Sequence, residues 1–330
     1  SWVSFQSGYN FGQGDRDQGH FEIYKKGLLV VDEGQVGKAD TSPESDHHNT
    51  FMIDDHGEYI TYSPRQGPWG KGVKIKRYEN TPQYTYALGD IADAYNQPDW
   101  YSPRINAVTN MERTFLYLPP DYLILFDRVS TLKDTYGKSW IAHFIKQPSQ
   151  NSNIFSVDNG YGGKLFMKSL LPQGAVFKTG ADVNGQSWWL SIAPSTQQKS
   201  DLFLNVFYIS NANAVAMPST VTIDSSSGNM IGSLISANNP IITLFSRNLG
   251  MQNSVSYQAS YSGTGKHFIA DLQQGTYKIY KDGIVIDTKT ASLSGTVSFE
   301  AVNGGSFAIS QVSLPSCSSA GGMCKSNSCN

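Results

Sequence analysis

MERTFLYLPPDYLILFDRV, residues Met111–Val129, decides how the rest of the chain is read. Two runs rich in aromatic and aliphatic residues, Arg113–Leu118 and Tyr122–Val129, flank Pro119-Pro120-Asp121. Proline fixes φ, and an aspartate carboxylate bonds local backbone N–H groups, so the centre is a turn with a mechanism. The stretch therefore predicts a β-hairpin. Short runs of the same kind recur on both sides: Phe21–Tyr24, Leu28–Val31, Phe51–Ile53, Tyr84–Leu88, Trp140–Ile145 and Leu202–Ile209. Gly, Pro, Asn and Asp bound them, and helical periodicity is nearly absent. One short helix-like segment, Asp90–Tyr95, is the exception. Asn159-Gly160-Tyr161-Gly162-Gly163 reads as a turn; no strand-to-helix switch follows it, so it is no phosphate loop.

After about residue 250 a second set of short strands begins, with Asp282-Gly283 between two of them as a hairpin signal. The sequence thus predicts an all-β chain. A large antiparallel β-sandwich occupies about 1–250, a small antiparallel β domain 251–314, and a Cys-containing tail 315–330. Cys317, Cys324 and Cys329 all fall in that tail, where a disulfide, free thiols or a metal remain open.

Composition narrows the function classes. Charged residues are only 16% of 330, aromatics reach 12%, and the net charge is −2. No basic stretch suits nucleic acid, and no apolar run approaches the roughly 20 residues that span a bilayer. Without a glycosylation sequon, the expectation is a secreted or cell-surface bacterial protein, processed or cut from a longer precursor.

In a chain so poor in charge, Asp15, Asp17, His20, Asp32, His47 and His48 crowd into one early segment. Asp32 ends an apolar run, His48 precedes another, and Asp15 and Asp17 share a face of an extended segment. One or two of these carboxylates with Asp32 and His48 make a three-ligand set. Mixed nitrogen and oxygen donors suit Zn²⁺, with Mn²⁺ or Ca²⁺ as alternatives where oxygen dominates. The competing reading is a rim of solvated loop and cap residues. Trp69, Trp100, Tyr101 and Trp188-Trp189 offer rings to stack on sugars or to pack in a β core. His143 alternates with apolar neighbours, which suits a core position or contact with substrate. Arg113 stands on the strand opposite Asp127-Arg128, as in a buried ion pair across the hairpin.

These motifs together resemble the C-terminal β-sandwich of the heparinase II/III-like polysaccharide lyases. That family reads roughly H-x-H-x-D-x-G-S-F, then a strand, D-P-G, and later H-N-T. Asp17, Gly19 and Phe21 match the first motif, Asp32 and Gly34 the second, and His48-Asn49-Thr50 the third. Gly89–Tyr95, Met111–Val129 and Trp140–Phe144 extend the resemblance over about residues 1–250.

The resemblance implies β-elimination on acidic, uronate-containing polysaccharide, and a divalent metal held by Asp15, Asp32 and His48. By their residue chemistry, His143, Trp69 and Trp100 are the candidate substrate contacts. Gln13 and Asp15 stand where the family has two histidines, one of them catalytic, and an amide cannot act as a base. His20 stands where the family has a small residue; it is either an imidazole supplied from a shifted position or a strand residue paired with a nearby carboxylate. The family's helical toroid, which carries further catalytic groups, precedes its sandwich; it is expected to be removed, supplied as a separate chain, or unused. The rival expectation is a non-catalytic structural or carbohydrate-binding subunit that self-assembles.

Overall fold

The computed structural model describes residues 1–8, 16–32, 45–55, 72–96, 107–182 and 185–312. Asp15, Gln13, Trp69, Trp100, Tyr101 and the three cysteines lie outside them. The chain divides into two compact units, Ser1–Thr222 and Ile223–Asn330.

Two sheets make the first unit. One contains β1 (Trp2–Phe5), β2 (Phe21–Tyr24), β3 (Leu28–Val31), β4 (Phe51–Asp55), β9 (Tyr136–Phe144), β13 (Val176–Ala181) and β14 (Trp188–Ala193). Its order is β1-β2-β3-β9-β14-β13, with β4 also on β9. The other contains β5 (Lys74–Asn80), β6 (Thr85–Asp90), β7 (Val108–Leu118), β8 (Tyr122–Thr131), β10 (Ser149–Asn151), β11 (Ile154–Asp158), β12 (Gly163–Leu171) and β15 (Ser200–Asn211). Its order is β10-β11-β12-β15-β8-β7-β6-β5. Both sheets are antiparallel throughout, as the predicted sandwich requires. Alternate residues of each strand point inward, so Phe21, Ile23, Phe51, Trp140, Leu125, Phe203 and Phe207 build one core. Edge-on ring contacts, such as Phe51 on Phe203 at 4.9 Å, favour this interleaving.

The hairpin at the centre of the sequence reading is β7–β8, with Leu118 opposite Tyr122 around the Pro119-Pro120-Asp121 turn. Arg113 lies directly opposite Asp127. The helix-like segment is a 3₁₀ turn at Ala92–Asn96.

β3 and β4 meet the same edge of β9. Val31 pairs with His143, and Phe51 with Trp140. They are two halves of one strand line, broken between Asp32 and Thr50. A break in a ladder strands backbone groups that would otherwise pair, and the candidate site is built into it.

The second unit starts earlier than the expected residue 250. Its first sheet runs β16 (Ser219–Asp224), β17 (Met230–Ser236), β18 (Ile241–Ser246), β20 (Thr264–Ile269), β23 (Val297–Val302). β18 pairs with β20, so residues 223–250 fold with the small domain rather than with the large sandwich. That pairing is parallel, which also corrects the wholly antiparallel expectation. The second sheet runs β19 (Ser254–Ala259), β24 (Gly305–Gln311), β21 (Gly275–Lys281), β22 (Ile284–Ala291). Asp282 and Gly283 form the β21–β22 turn with φ of 50° and 82°, the left-handed pair that a tight hairpin needs.

His267 is fully buried in this unit. Its Nδ1 lies 2.7 Å from the Tyr257 hydroxyl and its Nε2 2.8 Å from that of Tyr261. Phe299 stacks on the ring at 4.5 Å. Burial pushes its pKa down to about 3. The folded state therefore binds fewer protons than the unfolded state below the ordinary value near 6.5, and stability falls as pH drops from there toward 3. His267→Gln is expected to flatten this acid loss. Melting temperatures of variant and wild type between pH 7 and 4 check it; equal slopes would refute the assignment.

Candidate functional site

At the strand break, Asn49 replaces the missing ladder. Its side-chain NH₂ donates to the Phe21 carbonyl at 2.7 Å and the Val31 carbonyl at 2.8 Å. Its Oδ1 accepts the His143 backbone N–H at 2.7 Å. One amide thus ties β2, β3 and β9 together, and its three partners fix which end is oxygen. Nδ1 of His143 stands 3.2 Å from the same Oδ1, so Nδ1 carries the hydrogen. Sequence reasoning passed over Asn49; its place in His48-Asn49-Thr50 was the available signal.

Three side chains converge beside it. His20, Asp32 and His48 each offer an atom within 4.8 Å of the others. Phe21 and Ile23 face the core, so alternation places His20 on the opposite face of its sheet. Its ring meets that of His48 edge-on, with centroids 5.9 Å apart.

Hydrogen bonds set the two imidazoles in opposite tautomers. His20 Nδ1 accepts the Asn49 backbone N–H at 3.0 Å, so the neutral ring holds its hydrogen on Nε2. Burial, opposed by the Asp32 carboxylate and helped by the Arg113 charge, pushes the His20 pKa down to about 4 and keeps the ring neutral. His48 Nδ1 lies 2.7 Å from Asp32 Oδ1. Burial by itself would raise the Asp32 carboxyl, but the bond to His48 and the nearby imidazoles hold it below the usual carboxylate value. An ionised carboxylate only accepts, so His48 Nδ1 donates and Nε2 carries the lone pair. His48 with Asp32 is thus an oriented imidazole, suited to a metal or to accepting a proton. His20 is a neutral N–H donor suited to an oxygen. It does not fit as a ligand while it accepts from Asn49.

Below these residues stands a buried cation. Arg113 is fully buried, its Nε 2.6 Å from Asp127 Oδ1. Its Nη1 donates to the Gly19 carbonyl at 2.5 Å and the Asn49 carbonyl at 2.9 Å. Phe21, Phe51 and Trp140 surround the guanidinium at 5.2–5.9 Å. The ion pair expected across the hairpin is present, and it also holds the residues preceding His20 and following His48. Thr50 Oγ1 donates to the Gln18 carbonyl at 2.6 Å and completes the anchorage.

His143 is fully buried, and burial lowers its pKa to about 3. Asp182 Oδ1 lies 3.8 Å from its Nε2, beyond hydrogen-bond range. Trp189, opposite His143 on β14, covers Gly180, where a Cβ would fall 2.6 Å from the indole ring. Asp15, Trp69 and Trp100 lie outside the described residues.

No protein-family model matches the sequence, and no curated protein is significantly similar to it. Solved structures are. The chain is similar to the heparan sulfate lyase HepC from Pedobacter heparinus, with 13% identity and a TM-score of 0.52 over 72% of this chain and 38% of that one. It is also similar to a heparinase III gene product, at 12% identity and a TM-score of 0.51, over 91% of this chain and 38% of that one. The chain therefore has the fold of part of a heparinase III-type lyase, and it spans less than two fifths of those enzymes' length.

Proposed function

We infer that this chain is the sandwich-bearing part of a secreted or cell-surface protein that cleaves acidic polysaccharide by β-elimination. The observation that supports this most is the part-buried Asp32–His48 pair at a strand break in a fold shared with heparan sulfate lyases. β-Elimination beside a uronate needs its carboxylate neutralised, a base for the adjacent proton, and an acid for the leaving oxygen. His20, neutral with a hydrogen on Nε2, donates to a substrate oxygen. Asp32 fixes His48 and raises the basicity of its Nε2, the nitrogen that takes either the proton or the metal. Asp15, Asp32 and His48 are the proposed ligands of a divalent metal, Zn²⁺ first. The tautomer suits His48 to that role through Nε2; Asp32, bonded to Nδ1 on the other side of the ring, has to turn from it to reach the same metal. When bound, the metal supplies positive charge near the reacting carboxylate. The remaining acid–base groups come from a toroid, in the same precursor or in a separate chain.

The test is ultraviolet absorbance of the unsaturated uronate product on a panel of uronate polymers. No product from either this chain or its longer precursor sinks the lyase reading. It would favour the structural or carbohydrate-binding alternative. For the metal, purified protein is expected to contain a transition metal by elemental analysis. His48→Ala and Asp32→Asn are each expected to reduce it to background and to remove the effect of chelator on the melting temperature. A wild-type protein without metal, whose melting temperature ignores both Zn²⁺ and chelator, refutes the metal site.

A further inference from the structure

The β2–β3 hairpin carries His20 and Asp32 at one end. Its turn, Lys25–Gly27, lies at the other, about 15 Å away at roughly 3.3 Å per residue. The β11–β12 loop packs against that turn, and its construction is rigid. Asn159 is buried; its Oδ1 accepts the N–H groups of Tyr161 at 2.9 Å and Gly163 at 3.0 Å, and its NH₂ donates to the Lys25 carbonyl at 3.1 Å. Asp158 Oδ1 accepts the Gly160 N–H at 2.8 Å. Gly160 and Gly162 hold φ of 81° and 95°, which side-chain-bearing residues rarely adopt.

This locked loop holds Tyr161 out in water, 77% exposed. An ammonium group covers each flanking glycine. A Cβ on Gly160 would lie 2.8 Å from Lys146 Nζ, and one on Gly162 would lie 3.8 Å from Lys26 Nζ. A Cβ on Gly27 would lie 3.2 Å from the Tyr161 ring. Lys26 and Lys146 are exposed and form no ion pair among the described residues. Of the neighbouring charges, Lys25 pairs with Asp121 at 3.2 Å, Lys164 donates to the Ala214 carbonyl, and Asp158 is bonded to the loop backbone.

We propose that Tyr161, Lys26 and Lys146 form a second contact for an anionic glycan, separate from the histidine site. A ring face packs against the C–H face of a sugar, as aromatics do with flat apolar surfaces, while an ammonium on either side takes a carboxylate or sulfate. One aromatic between two cations fits a short stretch of charged polymer. It is too little basic surface for nucleic acid in a chain of net charge −2. The inference goes beyond the lyase reading, since it needs an anionic glycan but no cleavage.

Calorimetric titration with a size-fractionated heparin oligosaccharide at low ionic strength tests it. Lys26→Gln with Lys146→Gln is expected to weaken binding about tenfold, as two exposed charge contacts would. Tyr161→Ala is expected to weaken it about fivefold, and an uncharged dextran should not bind. All three side chains are exposed, so the fold is not at stake. Lys199→Gln, at an exposed lysine just before β15 and at its end away from this loop, is expected to leave the binding unchanged, and a failed cleavage assay does not bear on it. Three results overturn the proposal: unchanged affinity in the loop variants, an equal loss with Lys199→Gln, or an equal loss of affinity for a single-stranded oligonucleotide.

Discussion

Arg113→Met is expected to destabilise the protein by about 3–5 kcal/mol, because it leaves Asp127 buried without its cation. Both groups are fully buried, and the guanidinium has no route to solvent among Phe21, Phe51 and Trp140. The double variant Arg113→Met with Asp127→Leu removes both charges and should recover most of that loss. It should not recover the site. The carbonyls of Gly19 and Asn49 keep no donor in place of Nη1, so amide exchange around His20 and Asn49 should stay fast. Urea unfolding and hydrogen exchange separate the two effects. A single variant within about 1 kcal/mol of wild type would show that the buried pair is not a keystone of the sandwich.

Asn49→Ala should be nearly as damaging. It removes two donors from buried carbonyls and one acceptor from a buried N–H, and each orphaned group costs about 1–3 kcal/mol. The expected total is at least about 3 kcal/mol. Asn49→Asp tests the direction of the amide: it keeps the acceptor for His143 but sets a carboxylate against two carbonyls, so it should not rescue. The backbone N–H to His20 survives both changes. Nitrogen NMR of the wild type should therefore show His20 carrying its hydrogen on Nε2. The opposite tautomer would free Nε2 of His20 to ligate a metal and remove it as a donor.

Much of the first unit was legible because its strands are short, alternating and closed by turns with a mechanism. Phe21–Tyr24, Leu28–Val31 and the β7–β8 hairpin were all readable, and so was the Arg113–Asp127 pairing. The unit boundary was not. Asp224–Asn229 reads DSSSGN, turn-like and too short to stand out as a linker, and the place of residues 223–250 depends on β18 meeting β20, a pairing written in no local pattern. Asp32 and His48 were legible as residue types beside strand ends. That β3 and β4 are halves of one line was not, because it depends on where β9 aligns with both. The tautomers were hidden for the same reason, being set by backbone groups that the sequence does not name.

Arg113 and Asp127 have one more consequence, which concerns how the chain finds its alignment. β7 and β8 are largely buried on both faces, with runs such as Leu123, Ile124, Leu125 and Phe126 that fit almost equally well if one strand slides by two residues. Hydrophobic contact alone discriminates poorly among such alignments. A cation and an anion that must coincide in the dry interior do discriminate: any slide strands both charges away from water. The pair thus acts as a checksum on strand alignment, and only the correct alignment sets Nη1 under the carbonyls that flank His20 and His48.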